Sequence, residues 1–304
     1  MSKTLITIVG PTAIGKTALA IDVAKVFNTA IVSADSRQFY REMSIGTAKP
    51  TEEELAAAPH FFIDSLSIQD SYSAGDFEKD ALAKLDELFR HTNVVVMTGG
   101  SGLFVQSVCE GLDDLPKPRA GVRDRLNQLF SKEGIAFLQA ELKEKDPVYY
   151  REVDIHNPQR IIRALEVFES TGKPFSYFRK EKRNQRPFNV VKIGLQMDRS
   201  LLYERINKRV DQMMRKGLLN EVSSLMAYRN LPPLLTVGYA ELFDYLEGAY
   251  SLNEAIEKIK QHTRQFAKRQ ITWFKRDNDT HWFEPTQVEE MIAFIRRKLK
   301  ALEL

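Results

Sequence analysis

Cysteine is nearly absent from this chain of 304 residues: there is one, Cys109. A single thiol excludes an intramolecular disulfide, and its setting in LFVQSVCEGL marks it as a packed apolar group. Histidine is scarce too, with five, at positions 60, 91, 156, 262 and 281. None has metal-ligand spacing, which with one cysteine excludes a zinc module, and no Ser-His-Asp arrangement is suggested. No run of eighteen apolar residues occurs, so no helix is expected to span a membrane. The opening MSKTLITIVG enters a strand-like run at once, with no room for a signal peptide, and the default expectation is a cytoplasmic protein. Neither sign of charge dominates: 44 Lys and Arg against 41 Asp and Glu give a net +3. That balance neither requires nor excludes nucleic acid; what matters is whether the positive charge is clustered. There is no internal repeat and no low-complexity tract. With 43% hydrophobic and 28% charged residues, the composition fits a soluble globular protein of one large domain or two ordinary ones.

Against this plain background one stretch stands out. Gly10, Pro11, Thr12, Ala13, Ile14, Gly15, Lys16 and Thr17 read GPTAIGKT, which is G-x-x-x-x-G-K-[ST]. The apolar, β-branched run LITIV precedes it, and ALAIDVAKVF follows with Leu19, Val23, Val26 and Phe27 at helical spacing. The motif thus lies between a buried strand and a helix N-terminus, where backbone N–H groups can wrap phosphate oxygens. Lys16 supplies a point charge there, and the Thr17 hydroxyl can reach Mg²⁺. Further strands are expected at Ala30–Asp35, Phe61–Ser67 and Val94–Gly100, with a helix over Asp76–His91. Unalternating strands separated by helices belong to a parallel sheet covered on both faces. Ligands of such sheets lie beyond the strand C-termini, where the phosphate loop, Asp35 to Gln38, and Gly99 to Gly102 would converge. From Val122 to about Tyr177 the pattern is helical and charged. A basic, linker-like run follows at Arg179–Pro187, and strand composition returns at Asn189–Met197. We read residues 122–187 as a helical insertion into a core formed by 1–121 and 188–304. The remainder reads as helices over Leu201–Arg215, Leu218–Ala227 and Asn253–Lys275.

The chemistry-bearing residues leave alternatives open. Asp35 closes a strand beside the phosphate loop. It could bind Mg²⁺, orient a water or accept a substrate proton, or simply cap a helix, as Ser36 could. Ser101 in GGSG could contact a ligand or sit in a tight βα turn. Arg205 and Arg209 share a helix face and could clamp a diphosphate, although such pairs are usually solvated. The last long helix carries Arg264, Lys268 and Lys275 on one stripe, opposite Ile256, Ile259, Phe266, Ile271 and Phe274. With the Arg179–Arg186 run this gives two basic surfaces, either for RNA or for solubility.

The longer motifs go further. GPTAIGKT, DSRQFYREMSIGTAKP, PHFFID, YSAGDF, GGSGLF, NPQRIIRALEV, RVDQMMRKGLLNEV, VGY and RQFAKRQITWF, in that order from about residue 5 to 284, resemble the tRNA dimethylallyltransferase family, also called tRNA isopentenylpyrophosphate transferases, of bacterial type. The resemblance implies a P-loop NTPase-like α/β fold with a parallel sheet flanked by helices and a helical insertion that contacts tRNA. It implies transfer of a dimethylallyl group from its diphosphate to N6 of the adenosine after the anticodon, in tRNAs reading U-initial codons. The phosphate loop would then hold the donor diphosphate, with Thr17 on Mg²⁺. Asp35, Ser101 and Arg209 would be catalytic, Asp35 as general base and Arg209 on the diphosphate. Asp35, Ser36, Arg37, Gln38, Ser101, Arg123, Gln159, Arg160, Ile161, Ile162 and Arg163 match positions that contact tRNA. Two departures are Ser101 and Phe104, where the family usually has Thr and Tyr; serine keeps the hydroxyl. PPLLT before VGY lacks the family's usual Arg or Gln and is assigned no RNA contact. The chain ends without the zinc-finger extension of eukaryotic relatives, and a monomer is expected. The competing readings are a P-loop small-molecule kinase, which the local residues alone favour, and a non-catalytic RNA-binding protein. The long motifs place prenyl transfer first.

Overall fold

The computed structural model describes residues 2–113, 115–179 and 185–302. They form two compact units, residues 1–110 with 185–304, and residues 111–184. The helical unit therefore begins at Gly111 and takes in the proline-containing turn, which the residue pattern alone assigns to the core.

In the larger unit, β1 (Thr4–Val9) is buried at every position and leads through the phosphate loop into α1 (Lys16–Val26). Then come β2 (Ile31–Ser33), α2 (Glu52–Ala57), β3 (His60–Phe61), α3 (Ala74–Leu88), β4 (Val94–Gly99) and α4 (Gly102–Glu110). The helical unit contains α5 (Val122–Lys145), which bends at Gly134, then α6 (Pro147–Glu152), α7 (Pro158–Thr171) and α8 (Phe175–Phe178). The chain returns as β5 (Asn189–Leu195), followed by α9 (Arg199–Arg215), α10 (Leu218–Ser224), α11 (Tyr239–Leu246), α12 (Leu252–Phe274), β6 (His281–Phe283) and α13 (Val288–Ala301).

The six strands form one parallel sheet in the order β3-β2-β4-β1-β5-β6. Its central strands are near-continuous Val, Ile and Leu because both faces are covered, one by a cluster around Ile6, Ile8, Val96 and Ile193, the other by one around Leu5, Val95, Met97 and Phe77. The register sets the site. Val9 pairs with Gly99 and with Gly194, and Ser33 with Thr98, so β1, β2 and β4 end level with one another.

Several expectations need correcting. The third strand stops at Phe61, because Phe62 and Asp64 take positive φ (64° and 52°) and turn the chain away from the sheet. The helix expected from Asp76 starts two residues earlier, behind a capping box in which Ser73 and Asp76 satisfy each other's backbone N–H groups. Val26 is 40% exposed, so the buried face of α1 is Leu19, Ala20, Val23 and Ala24. Strand β6 and helix α13 have no counterpart among the expected elements: β6 is a three-residue edge strand whose identity comes from pairing with β5. Lys180 to Asn184 of the expected basic linker lie outside the described residues. Of its flanks, Arg179 pairs with Glu152, and Arg186 is partly buried, donating to the carbonyls of Val108 (2.9 Å) and Ser107 (2.5 Å) and to Glu78 (2.6 Å). Arg186 is thus a structural clamp on the end of α4.

Candidate active site at the carboxyl end of the sheet

The three polar clusters do converge, and hydrogen bonds join them. Gly15 begins α1 at φ 107°, a conformation that favours glycine, and no side chain caps the helix. Ala13 is also left-handed, at φ 64°. Left-handed residues in so short a loop curl successive N–H groups toward one centre, and the uncapped helix start adds its own donors and dipole. The Lys16 ammonium folds back over the loop, donating to the carbonyls of Gly10 (3.0 Å) and Pro11 (2.8 Å). Ile14 is fully buried in the core, so that residue can offer a ligand only its backbone.

Ser101 ties the β4 end to the β2 end: its Oγ accepts from the Ser36 N–H (3.0 Å) and donates to Ser36 Oγ (3.0 Å). Asp35 accepts from the Arg37 N–H (3.1 Å), closing the turn in which it sits. Gln38 holds the following loop through the carbonyls of Thr47 and Ala48 (3.2 Å each). That loop is pinned from the far side by Glu221, whose carboxylate accepts the N–H groups of Ser44, Ile45 and Gly46 and the Tyr239 hydroxyl (2.6 Å). Residues from three separate motifs, DSRQFYREMSIGTAKP, RVDQMMRKGLLNEV and VGY, thus build one joint.

Gln270 belongs to the site although its sequence position did not single it out. Its side chain is buried in α12, where its Oε1 accepts from the Thr12 N–H (2.8 Å) and its Nε2 donates to the Gly100 carbonyl (2.9 Å). It therefore welds the phosphate loop to the β4 end, and a Cβ on Gly100 would collide with it. The available signal was a polar residue on an otherwise apolar stripe. The buried line of α12 is Ala255, Ile259, Ala267, Gln270 and Phe274, whereas Phe266, expected in the core, is 39% exposed. Part of the basic stripe of α12 is already engaged, Lys260 with Asp211 (2.9 Å) and Arg264 with Asn207 (2.8 Å).

A cavity of about 330 Å³ opens at this junction. Its polar lining includes Thr12, Asp35, Ser36, Ser101, Arg209 and Gln270, and its apolar lining includes Val210, Met213, Leu218, Val237 and Ile259. Burial lowers the Lys16 pKa from 10.5 to about 8, against the pull of Asp35 and helped by Arg209. Burial likewise lowers Arg209 and Arg37. Arg205 reaches the loop as well, with Nη2 3.6 Å from where a Cβ on Gly15 would lie. Among the described residues Lys16, Arg205 and Arg209 form no ion pair, and with Asp35 and the more weakly acting Glu54 as the carboxylates that pull on Arg209, the site gathers net positive charge and suits a polyanion. Arg209 is accordingly not on a plain solvated face, whereas Arg205 is exposed.

The RNA-contact residues expected in the insertion divide by burial. Gln159 and Arg160 are exposed at the start of α7. Ile161 and Ile162 are fully buried in the core of the helical unit, so their side chains cannot meet RNA; this corrects the expectation. Arg123 and Arg163 both bind the buried Glu166 carboxylate, Arg123 through two bonds of 2.9 Å and Arg163 at 2.8 Å. Among the described residues no helix is long and apolar enough to cross a membrane, and no three His, Cys, Asp or Glu side chains cluster to hold a metal.

Comparison with known proteins identifies the family. The family model for IPP transferase matches residues 38–277. A tRNA dimethylallyltransferase of Christiangramia forsetii is 54% identical over 284 residues, covering 93% of this chain and 94% of that protein. A tRNA dimethylallyltransferase 1 of Bacteroides fragilis is 48% identical over 299 residues, covering 98% and 99%. The crystal structure of the full-length tRNA isopentenylpyrophosphate transferase of Bacillus halodurans superposes with a TM-score of 0.74 at 36% identity, covering 98% of this chain and 97% of that one. A eukaryotic dimethylallyltransferase acting on tRNA shares the fold, with a TM-score of 0.83 at 23% identity. The chain belongs to the IPP transferase family.

Proposed function

We propose that this protein is a tRNA prenyltransferase that moves a dimethylallyl group from dimethylallyl diphosphate to N6 of the adenosine 3′-adjacent to the anticodon, in tRNAs reading U-initial codons. The products are N6-isopentenyladenosine and pyrophosphate. The observation that carries the reading is one cavity lined both by arginines (Arg37, Arg209 and Arg269) and by apolar side chains, a combination that suits a charged head with an apolar tail. The names of the relatives support the reaction class and the tRNA acceptor. A tRNA acceptor in turn favours the cytoplasm.

In this reading the phosphate loop, Lys16, Arg205 and Arg209 bind the diphosphate. Thr17, at the head of α1, would hold Mg²⁺ together with phosphate oxygens and water, an arrangement that needs no carboxylate cluster. The ion would neutralise charge on the leaving pyrophosphate. The adenine amine is a poor nucleophile because its lone pair is delocalised into the ring. Its nitrogen forms a bond to the allylic carbon as the carbon–oxygen bond to diphosphate breaks, and Asp35 accepts the amine proton. Lys16 and Arg209 stabilise the charge that develops on the leaving group. Ser36 and Ser101, bonded to each other, hold the Asp35 turn against the β4 end. The base must leave the anticodon stack to arrive here. Ser36, Arg37 and Gln38 would meet it near the site, while Arg123, Gln159, Arg160 and Arg163 of the insertion would contact the RNA. Calorimetric titration tests the donor site: dimethylallyl diphosphate with Mg²⁺ should bind, and more tightly than ATP. Preference for ATP would return the kinase reading.

A further inference from the structure

Helix geometry gives a length scale along one side of the cavity. Arg209 and Met213 both line the cavity from α9. They are four residues apart, hence on one face and separated along the axis by about 6 Å. Other apolar lining is tightly packed: Leu218, Ile259 and Val210 are at most 2% exposed and pack in one cluster with Leu242 and Phe243. Four bonded carbons in line reach about 4 Å, the same as one Cα–Cα step. Laid along α9 from Arg209, a chain of one isoprene unit would span less than the turn that separates Arg209 from Met213. A second unit would overrun Met213 and strike Leu218 or Ile259. Methionine is unbranched and pliable, whereas its neighbours belong to a packed core.

We propose that Met213, backed by Leu218 and Ile259, is the chain-length gate of the donor site, admitting a five-carbon allylic diphosphate and excluding the ten-carbon homologue. The proposal rests on the donor reading above and adds the residues that set its specificity. The test measures kcat/KM for dimethylallyl and geranyl diphosphates with one anticodon stem-loop. The proteins are the unaltered chain, Met213→Ala, Met213→Phe and Leu218→Ala. The C10/C5 ratio should rise by about tenfold or more in Met213→Ala, the scale on which apolar pockets resolve such differences. It should fall in Met213→Phe. Because the ratio is taken within each variant, it does not depend on the folded fraction, and the half-buried Met213 keeps the test open should Leu218→Ala fail to fold. An unchanged ratio in both Met213 variants would overturn the gate. Failure of the unaltered chain to use the five-carbon donor would instead overturn the donor reading itself.

Discussion

Asp35 and Lys16 carry the account at the scale of single residues. Among the described residues Asp35 is the carboxylate that lines the cavity, so Asp35→Asn should slow the single-turnover chemical step by about 10²–10⁴-fold while leaving tRNA affinity close to its original value. An unchanged rate would remove Asp35 as the proton acceptor. Lys16 gives a pH signature. With its pKa lowered to about 8 by burial, the ammonium is charged below that pH and neutral above it. Burial of the charge opposes folding below about pH 8, and that penalty fades as pH rises toward the ordinary lysine value, because the unfolded chain then holds the extra proton. Donor binding runs the other way, since diphosphate needs the cation. Its Kd, measured by calorimetry from pH 6.5 to 9.5, should be level below about pH 8 and should climb above it, by up to about tenfold per pH unit. A level profile throughout would show that the lysine charge is not engaged.

Elements were legible in proportion to how local their causes are. The strand–loop–helix around GPTAIGKT could be read directly, since glycine, lysine and threonine at that spacing, between an apolar strand and a helix, suit a phosphate chain and little else. Short strands could not: β6 has three residues and owes its existence to β5, and the third strand was cut short by backbone turns at Phe62 and Asp64. Gln270 shows the same limit at the site, because its partners Thr12 and Gly100 lie 258 and 170 residues away in sequence. Ile161 and Ile162 show a different one. A motif match assigns a position to RNA contact without regard to which side chains the helix buries. The weld made by Gln270 has a measurable consequence. Gln270→Leu leaves a backbone N–H and a carbonyl without their partner, costing about 1–3 kcal/mol for each that stays dry. It should lower the urea midpoint and raise the donor KM together. Loss of stability with an unchanged donor KM would show that the phosphate loop keeps its shape unaided.

For the molecule as a whole, the chain divides into a sheet-based unit and a helical unit, and the proposed function would place the donor on the first and part of the RNA contact on the second. Among the described residues the cavity is lined by the larger unit, and Arg160 is exposed on the helical one. Arg160→Ala should therefore weaken tRNA binding and flatten its salt dependence by about 0.7 in the log–log slope, the single-strand value for one phosphate contact, without altering the donor KM. Binding curves at several salt concentrations check this, and an unchanged slope would place RNA away from Arg160. The central claim, that one site joins an allylic diphosphate to an anticodon-loop adenosine, is tested most directly by a transfer assay. Labelled dimethylallyl diphosphate, Mg²⁺ and an unmodified anticodon stem-loop with consecutive adenosines are incubated with the protein, and the label is mapped by nuclease digestion. The account predicts label on N6 of the adenosine following the anticodon, abolished by chelation of Mg²⁺ and by Asp35→Ala. Absence of label from the RNA, with a folded protein that phosphorylates a small acceptor from ATP, would contradict it.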